Sequence, residues 1–256
     1  MCLLVFAWQQ HPRYRFIVAG NRDEFHDRPT APAHWWKDHP NILAGQDLRA
    51  GGSWLGVSRS GRFGIVTNFR ETAAPGGGLR SRGELISAFL NADEKPVAWL
   101  ADRQKEQDTF GGFNLIVGDV NELGYMSNRG QEATSLPGGI AGLSNRSLDT
   151  PWPKLLRARG RFEGVIGDAS PNPDSLFDML ADREQSQDDT LPDTGIPREW
   201  ERLLSSIFIV SPAYGTRAST VLLIGHDGHI FFEERRFGAE GQLEGASQVE
   251  FDVETG

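Results

Sequence analysis

Residues 2–8, Cys-Leu-Leu-Val-Phe-Ala-Trp, are apolar on both parities. An unbroken run of that length predicts a strand covered on both faces. Gln9-Gln10-His11-Pro12-Arg13 supplies a turn, and Tyr14 to Gly20 reads as a second strand. Antiparallel pairing of the two brings Cys2 to the same sheet edge as Asn21-Arg22-Asp23-Glu24. Three charged residues directly after an apolar strand are expected to leave the ladder and lie at its mouth. A Pro- and Trp-containing loop holding Trp35 and Trp36 follows, then a hairpin over residues 51–68 turning at Ser60-Gly61. Pro75-Gly76-Gly77-Gly78 reads as a flexible loop.

From Ser81 the period changes. Leu85, Ile86, Phe89 and Leu90 share one helical face, and Pro96 suits the first turn of a second helix. Strands are expected at residues 113–119, 123–127 and 140–144. Helices should start near Pro153, carrying Leu155, Leu156, Phe162, Val165 and Ile166, and near Pro173, carrying Leu176, Phe177 and Leu180. Residues 184–198 are polar and read as an exposed loop. Residues 207–210, 216–224 and 229–237 return to strand, the last two joined by Asp227-Gly228. The last dozen residues read as a frayed tail. Apolar hairpins need helices over their outer faces, so the order strands, helices, strands predicts an α+β fold, a four-layer αββα sandwich of two mainly antiparallel sheets. One domain over residues 1–240 with a tail at 241–256 is the expected organisation.

A chain of 256 residues with 38% hydrophobic and 24% charged positions is that of an ordinary globular protein. Its formal net charge of −9 argues against nucleic acid, whose binding rests on neutralising phosphates. A single Cys permits no internal disulfide and suits a reducing compartment. The N-terminal run lacks a basic n-region and is too short to span a bilayer. A soluble, cytoplasmic protein without a transmembrane segment is the expectation. No Cys, His or Glu spacing completes a metal site, and the glycines at 76–78 lack the ending of a phosphate loop.

The position of Cys2 carries the chemistry. Removal of Met1 leaves an α-amine on the residue that bears the thiol, and that amine, with a pKa of about 7.7–8.0, accepts a proton near neutrality. The plainer alternative is a small buried residue opening a strand. Arg22 beside it would favour the thiolate or hold a substrate carboxylate, and an acid would orient the amine. An exposed turn with a surface ion pair is the plainer alternative there. Asn68, Asn128 and Asn145 sit at strand ends, as neutral oxyanion donors or as ordinary turn residues, and Arg217 opens a late strand.

Cys2 with Asn21-Arg22-Asp23-Glu24 resembles the NRDE family, which includes the transport-and-Golgi-organisation proteins. Five further stretches are similar to the family pattern: residues 51–56 around Trp54, 67–70, 142–145, 149–154 and 215–220. The resemblance implies the fold of N-terminal-nucleophile hydrolases. By analogy with the cysteine acylases of that fold it assigns catalysis to Cys2, Arg22, Asp23 and Asn145. Asn21, Glu24, Asn68, Trp54 and Arg217 are implied in support. In those acylases the acid lies beyond the Arg, whereas here Asp23 adjoins it. Strand alternation would put Arg22 and Glu24 on one face and Asp23 on the other, so either acid is a candidate to hold the amine. The implied activity is hydrolysis of a non-peptide amide or an acyl thioester, with no cofactor required. The resemblance equally implies a binding and trafficking protein that uses the same cleft for haem or acyl-CoA. The sequence lacks a Cys-Pro haem-regulatory pair.

Overall fold

The computed structural model describes residues 3–70 and 80–254. The expected loop at 75–78 lies outside them, as does Cys2. Among the described residues, thirteen strands form two antiparallel sheets.

The first hairpin is β1 (Leu3–Trp8) and β2 (Tyr14–Phe25). Next come β3 (Thr30–Trp35), β4 (Ile42–Asp47), β5 (Leu55–Ser58) and β6 (Phe63–Asn68), then helices α1 (Glu84–Leu90) and α2 (Pro96–Arg103). The chain continues through β7 (Phe113–Gly118), β8 (Leu123–Ser127), β9 (Gln131–Ser135) and β10 (Gly139–Leu143), then α3 (Pro153–Ile166), α4 (Pro173–Leu180) and α5 (Arg198–Leu203). It closes with β11 (Tyr214–Gly225), β12 (His229–Phe237) and β13 (Leu243–Asp252). One sheet runs β10-β1-β2-β11-β12-β13, and β3 to β9 form the other as a sequential meander.

Alternation along the central strands builds three apolar layers. Leu4, Phe6, Phe16, Val18, Leu222 and Phe232 point between the sheets and meet Leu43, Val57, Phe63 and Ile116. Phe16 stacks on Phe63 with ring centroids 4.1 Å apart. Leu3, Val5, Ile17, Ala19, Val221 and Leu223 point outward onto α3 and α4. The outer face of the other sheet is covered by Leu85, Ile86, Phe89 and Leu90 of α1 with Trp99 and Leu100 of α2. Two sheets between two helical layers is the architecture the pattern demanded.

Several elements differ from the sequence expectation. The Trp-containing loop is two strands, β3 and β4. Pro32 is tolerated because β3 is an edge, and the register breaks between Ala31 and His34. Trp36 is buried and donates to the Ala44 carbonyl at 3.0 Å, so it serves the core. The stretch 245–256, expected to fray, holds most of β13, whose Val249 and Phe251 alternate inward against the core. Residues 207–210 form no strand; Ile207 to Ile209 are buried in an irregular segment tied to Thr216. The polar loop ends in α5, and Leu156 of α3 is 56% exposed.

Candidate active site

The largest departure from expectation positions the site. Strand β2 does not stop at Gly20; it runs through the charged tetrapeptide to Phe25, paired with β11. Arg22 and Asp23 are each only 4% exposed. Charges continue a buried ladder when partners await them on both faces.

On the face toward the seven-stranded sheet, the Arg22 guanidinium lies 4.4 Å over the ring of Trp54. Its Nη2 is 3.5 Å from Asp47 Oδ2 and 3.8 Å from Glu24 Oε2. Asp47, at the end of β4, is the hub. It accepts from Arg28 Nε at 2.9 and 3.2 Å and from the backbone N–H groups of Arg49 and Ala50 at 3.0 Å each. Burial pushes its carboxyl up, but the bonds from Arg28 and Ala50 and the charges of Arg28 and Arg22 together leave it below the usual range.

On the opposite face, Asn21 donates to the carbonyls of Leu180 and Ile207 at 2.9 and 2.8 Å and accepts from Ser219 at 2.7 Å. It ties the strand to the ends of two outer segments. Asp23 accepts a 2.7 Å bond from the Thr216 hydroxyl, which itself accepts from Ile209 N–H. Arg22 and Glu24 thus share one face and Asp23 the other.

A cleft of about 330 Å³ opens where Arg22 meets the seven-stranded sheet. Arg22, Glu24, Trp54 and Asn68 line it, joined by Arg28, Asp47, Arg80 and Arg82. Four guanidinium groups and two carboxylates line the cleft. Arg80 is engaged by Glu84 and Glu106, and Arg82 donates to the Gly112 carbonyl at 3.0 Å.

Asn145 stands behind the lining. Its backbone is left-handed at φ 55°, a conformation Asn tolerates better than most residues. Its side-chain amide donates to the Asn68 carbonyl at 2.9 Å, and its own carbonyl accepts from Arg70 N–H. Arg217 sits in a bulge of β11 and spends Nη1 on the carbonyls of Phe25 and His26, both at 3.0 Å. It clamps the turn after β2 and borders a smaller cavity, not the main cleft. Cys2 lies outside the described residues; Leu3, to which it is joined, pairs with Asn21.

The structure therefore brings Arg22, Glu24, Trp54 and Asn68 into one cleft, with Asn145 behind Asn68 and Asp23 and Asn21 on the far face. Sequence reasoning missed Arg28, Asp47, Arg80 and Arg82, scattered polar residues with no local pattern. It also missed Glu234, which strand alternation alone would have placed with Ile230 and Phe232 on the inner face.

The Transport and Golgi organisation 2 family matches residues 1–239. The Transport and Golgi organization 2 homolog of Mus musculus is 34% identical over 92% of both chains, and that of Bos taurus 36% over the same shares. The Drosophila melanogaster protein of that name is 26% identical over the full length of both. Among solved structures, the chain is similar to the Caenorhabditis elegans ortholog of N-acylethanolamine-hydrolyzing acid amidase at TM-score 0.44 and 14% identity, covering 87% of this chain and 92% of that one. A variant of conjugated bile acid hydrolase from Clostridium perfringens gives TM-score 0.47 and 8% identity, covering 98% of each. At this length and identity the sequence relatives leave one conclusion: the chain belongs to the Transport and Golgi organisation 2 family.

Proposed function

We propose that the Arg22 cleft is the active site of an N-terminal cysteine hydrolase that cleaves a non-peptide amide or an acyl thioester carrying an anionic group. The observation that carries this reading is the register of the first hairpin. Leu3, the residue that follows the one cysteine of the chain, lies opposite Asn21, the neighbour of Arg22. The even-numbered residues of β1, Leu4, Phe6 and Trp8, point between the sheets, the side on which Arg22 meets Trp54.

With Met1 removed, the Cys2 thiol attacks the scissile carbonyl and its proton passes to the α-amine of the same residue. The amine returns the proton to the leaving nitrogen or sulfur as the bond to carbon breaks, leaving an acyl-thioester on Cys2. Water then attacks the acyl carbon with the amine as base, releasing the acid and the free thiol. The neighbouring guanidinium favours the thiolate. Asn68, whose carbonyl Asn145 holds, is the better-placed neutral donor for the oxyanion. Glu24 lines the cleft and Asp23 accepts from Thr216 through Oδ1 on the other face of β2, and either acid is a candidate to orient the amine. Replacing Cys2 by Ala is expected to abolish thioester and amide turnover with circular dichroism unchanged; undiminished turnover in that variant would refute the mechanism.

The guanidinium groups that line the cleft also suit a second reading, carriage of an anionic cargo such as an acyl-CoA or haem without turnover. Saturable binding with no product would support it, and loss of turnover in Cys2→Ala would count against it.

A further inference from the structure

Behind Trp54 lies a second cavity of about 120 Å³, bordered by Arg22, Trp54, Arg217, Glu234, Arg236 and Glu244. Glu234 is 1% exposed. Its Oε1 accepts a 2.9 Å bond from Ala33 N–H and so spans the two sheets. Its Oε2 is buried with no hydrogen-bond partner among the described residues, and so is the hydroxyl of Thr220, its cross-strand neighbour on β11. A core that wanted only a brace at this position would hold an apolar residue at lower cost.

Gly45 explains what the free oxygen faces. A Cβ there would sit 2.5 Å from the Trp54 ring and 2.7 Å from Glu234 Oε2, so ring edge and carboxyl close over the same bare backbone. A face of that ring carries the Arg22 guanidinium. An aromatic ring is negative on its face and positive at its edge. A cation on the face and an acid by the edge make Trp54 a link between Glu234 and the cleft.

We propose that Glu234 is a positioning residue of the active site, acting on Arg22 through the Trp54 ring so that the proton it gains or loses sets how firmly Arg22 grips an anionic group. This rests on the reading of the Arg22 cleft as the binding site. The charged and titratable groups facing Glu234 are Arg22 from β2, Arg217 from β11, Arg236 on its own strand and Glu244 from β13. Burial pushes its carboxyl up to about 7, against the lowering effect of the Ala33 N–H bond and the charges of Arg236 and Arg22. Below that pH the acid is neutral and no longer draws on the Arg22 charge. Above it, the carboxylate draws on Arg22 and weakens its hold on an anion.

Sulfate, which does not titrate in this range, is the probe. Calorimetric titration of the full chain is expected to give binding about three- to tenfold tighter at pH 6 than at pH 8, the upper figure being the fall in protonated fraction of a group titrating near 7 across that interval. Binding near pH 7 should take up protons, seen as a dependence on buffer ionisation heat. Glu234→Gln, which keeps the Ala33 bond through its carbonyl, should lose most of the pH difference and the proton uptake. Glu233→Gln, the same charge change on the outward face, should behave as the native chain. Other titrating groups, the α-amine included, act equally on all three forms. A Glu234→Gln protein that tracks the native pH dependence, or a native chain that binds no sulfate, overturns the proposal. Cys2→Ala turnover is read separately, so either claim can fail without the other.

Discussion

Arg22 shows how a charge is accommodated inside a sheet sandwich. Its guanidinium meets a ring face, an acid at the end of β4 and an acid two residues on along its own strand. Each contact alone is modest; together they let the residue stand where an apolar strand would otherwise have to end. Glu234 is the opposite case, an acid buried without full compensation, and its consequence is measurable. Between pH 4.5 and about 7 the unfolded chain holds this carboxyl ionised while the folded chain holds it protonated. Folding therefore takes up a proton, and stability falls as pH rises through that window. The full span amounts to about 3 kcal/mol. Urea unfolding at pH 5 and pH 8 should show the Glu234→Gln protein losing less stability than the native chain across that interval. An equal loss in both would mean the carboxyl is ionised in the folded state throughout.

At the scale of elements, β13 makes the sharpest prediction. It covers the whole of β12 from His229 to Phe237 and brings Phe251 edge-on to Trp35 of the other sheet. Ending the chain at Phe237 should leave a long unpaired edge, lower the melting temperature and promote aggregation. Unchanged melting and solubility would show that β13 is dispensable. The edge strands β13 and β3 were hidden in the sequence because an edge buries only alternate positions, and in Leu243–Asp252 those positions include Gly245 and Ser247, too weak a pattern to register. The buried strands were legible because they are apolar throughout, as in Leu3–Trp8. Helices were legible from Leu85-Ile86 and Phe89-Leu90 and from the prolines at 96, 153 and 173, each at a first helical position. Of the site, Arg22 and Glu24 could be assigned to one face and Asp23 to the other by alternation. The partners Asp47 and Arg28 could not, because contact between sheets leaves no mark on local spacing.

For the whole molecule, the cleft lies between Arg22 of one sheet and Asp47 and Asn68 of the other, with Trp54 just ahead of β5. No helix among the described residues is long and apolar enough to cross a membrane. Arg22, Arg28, Arg80 and Arg82 line that cleft in a chain of net charge −9. The central claim is that Cys2 is the nucleophile there. Its most direct test is the mass of the protein quenched in acid during turnover of a succinyl thioester of N-acetylcysteamine, followed by peptide mapping. The expected result is a chain without Met1 that carries the succinyl group on Cys2. A chain that keeps Met1, or one that releases product while Cys2 stays unacylated throughout, contradicts the account.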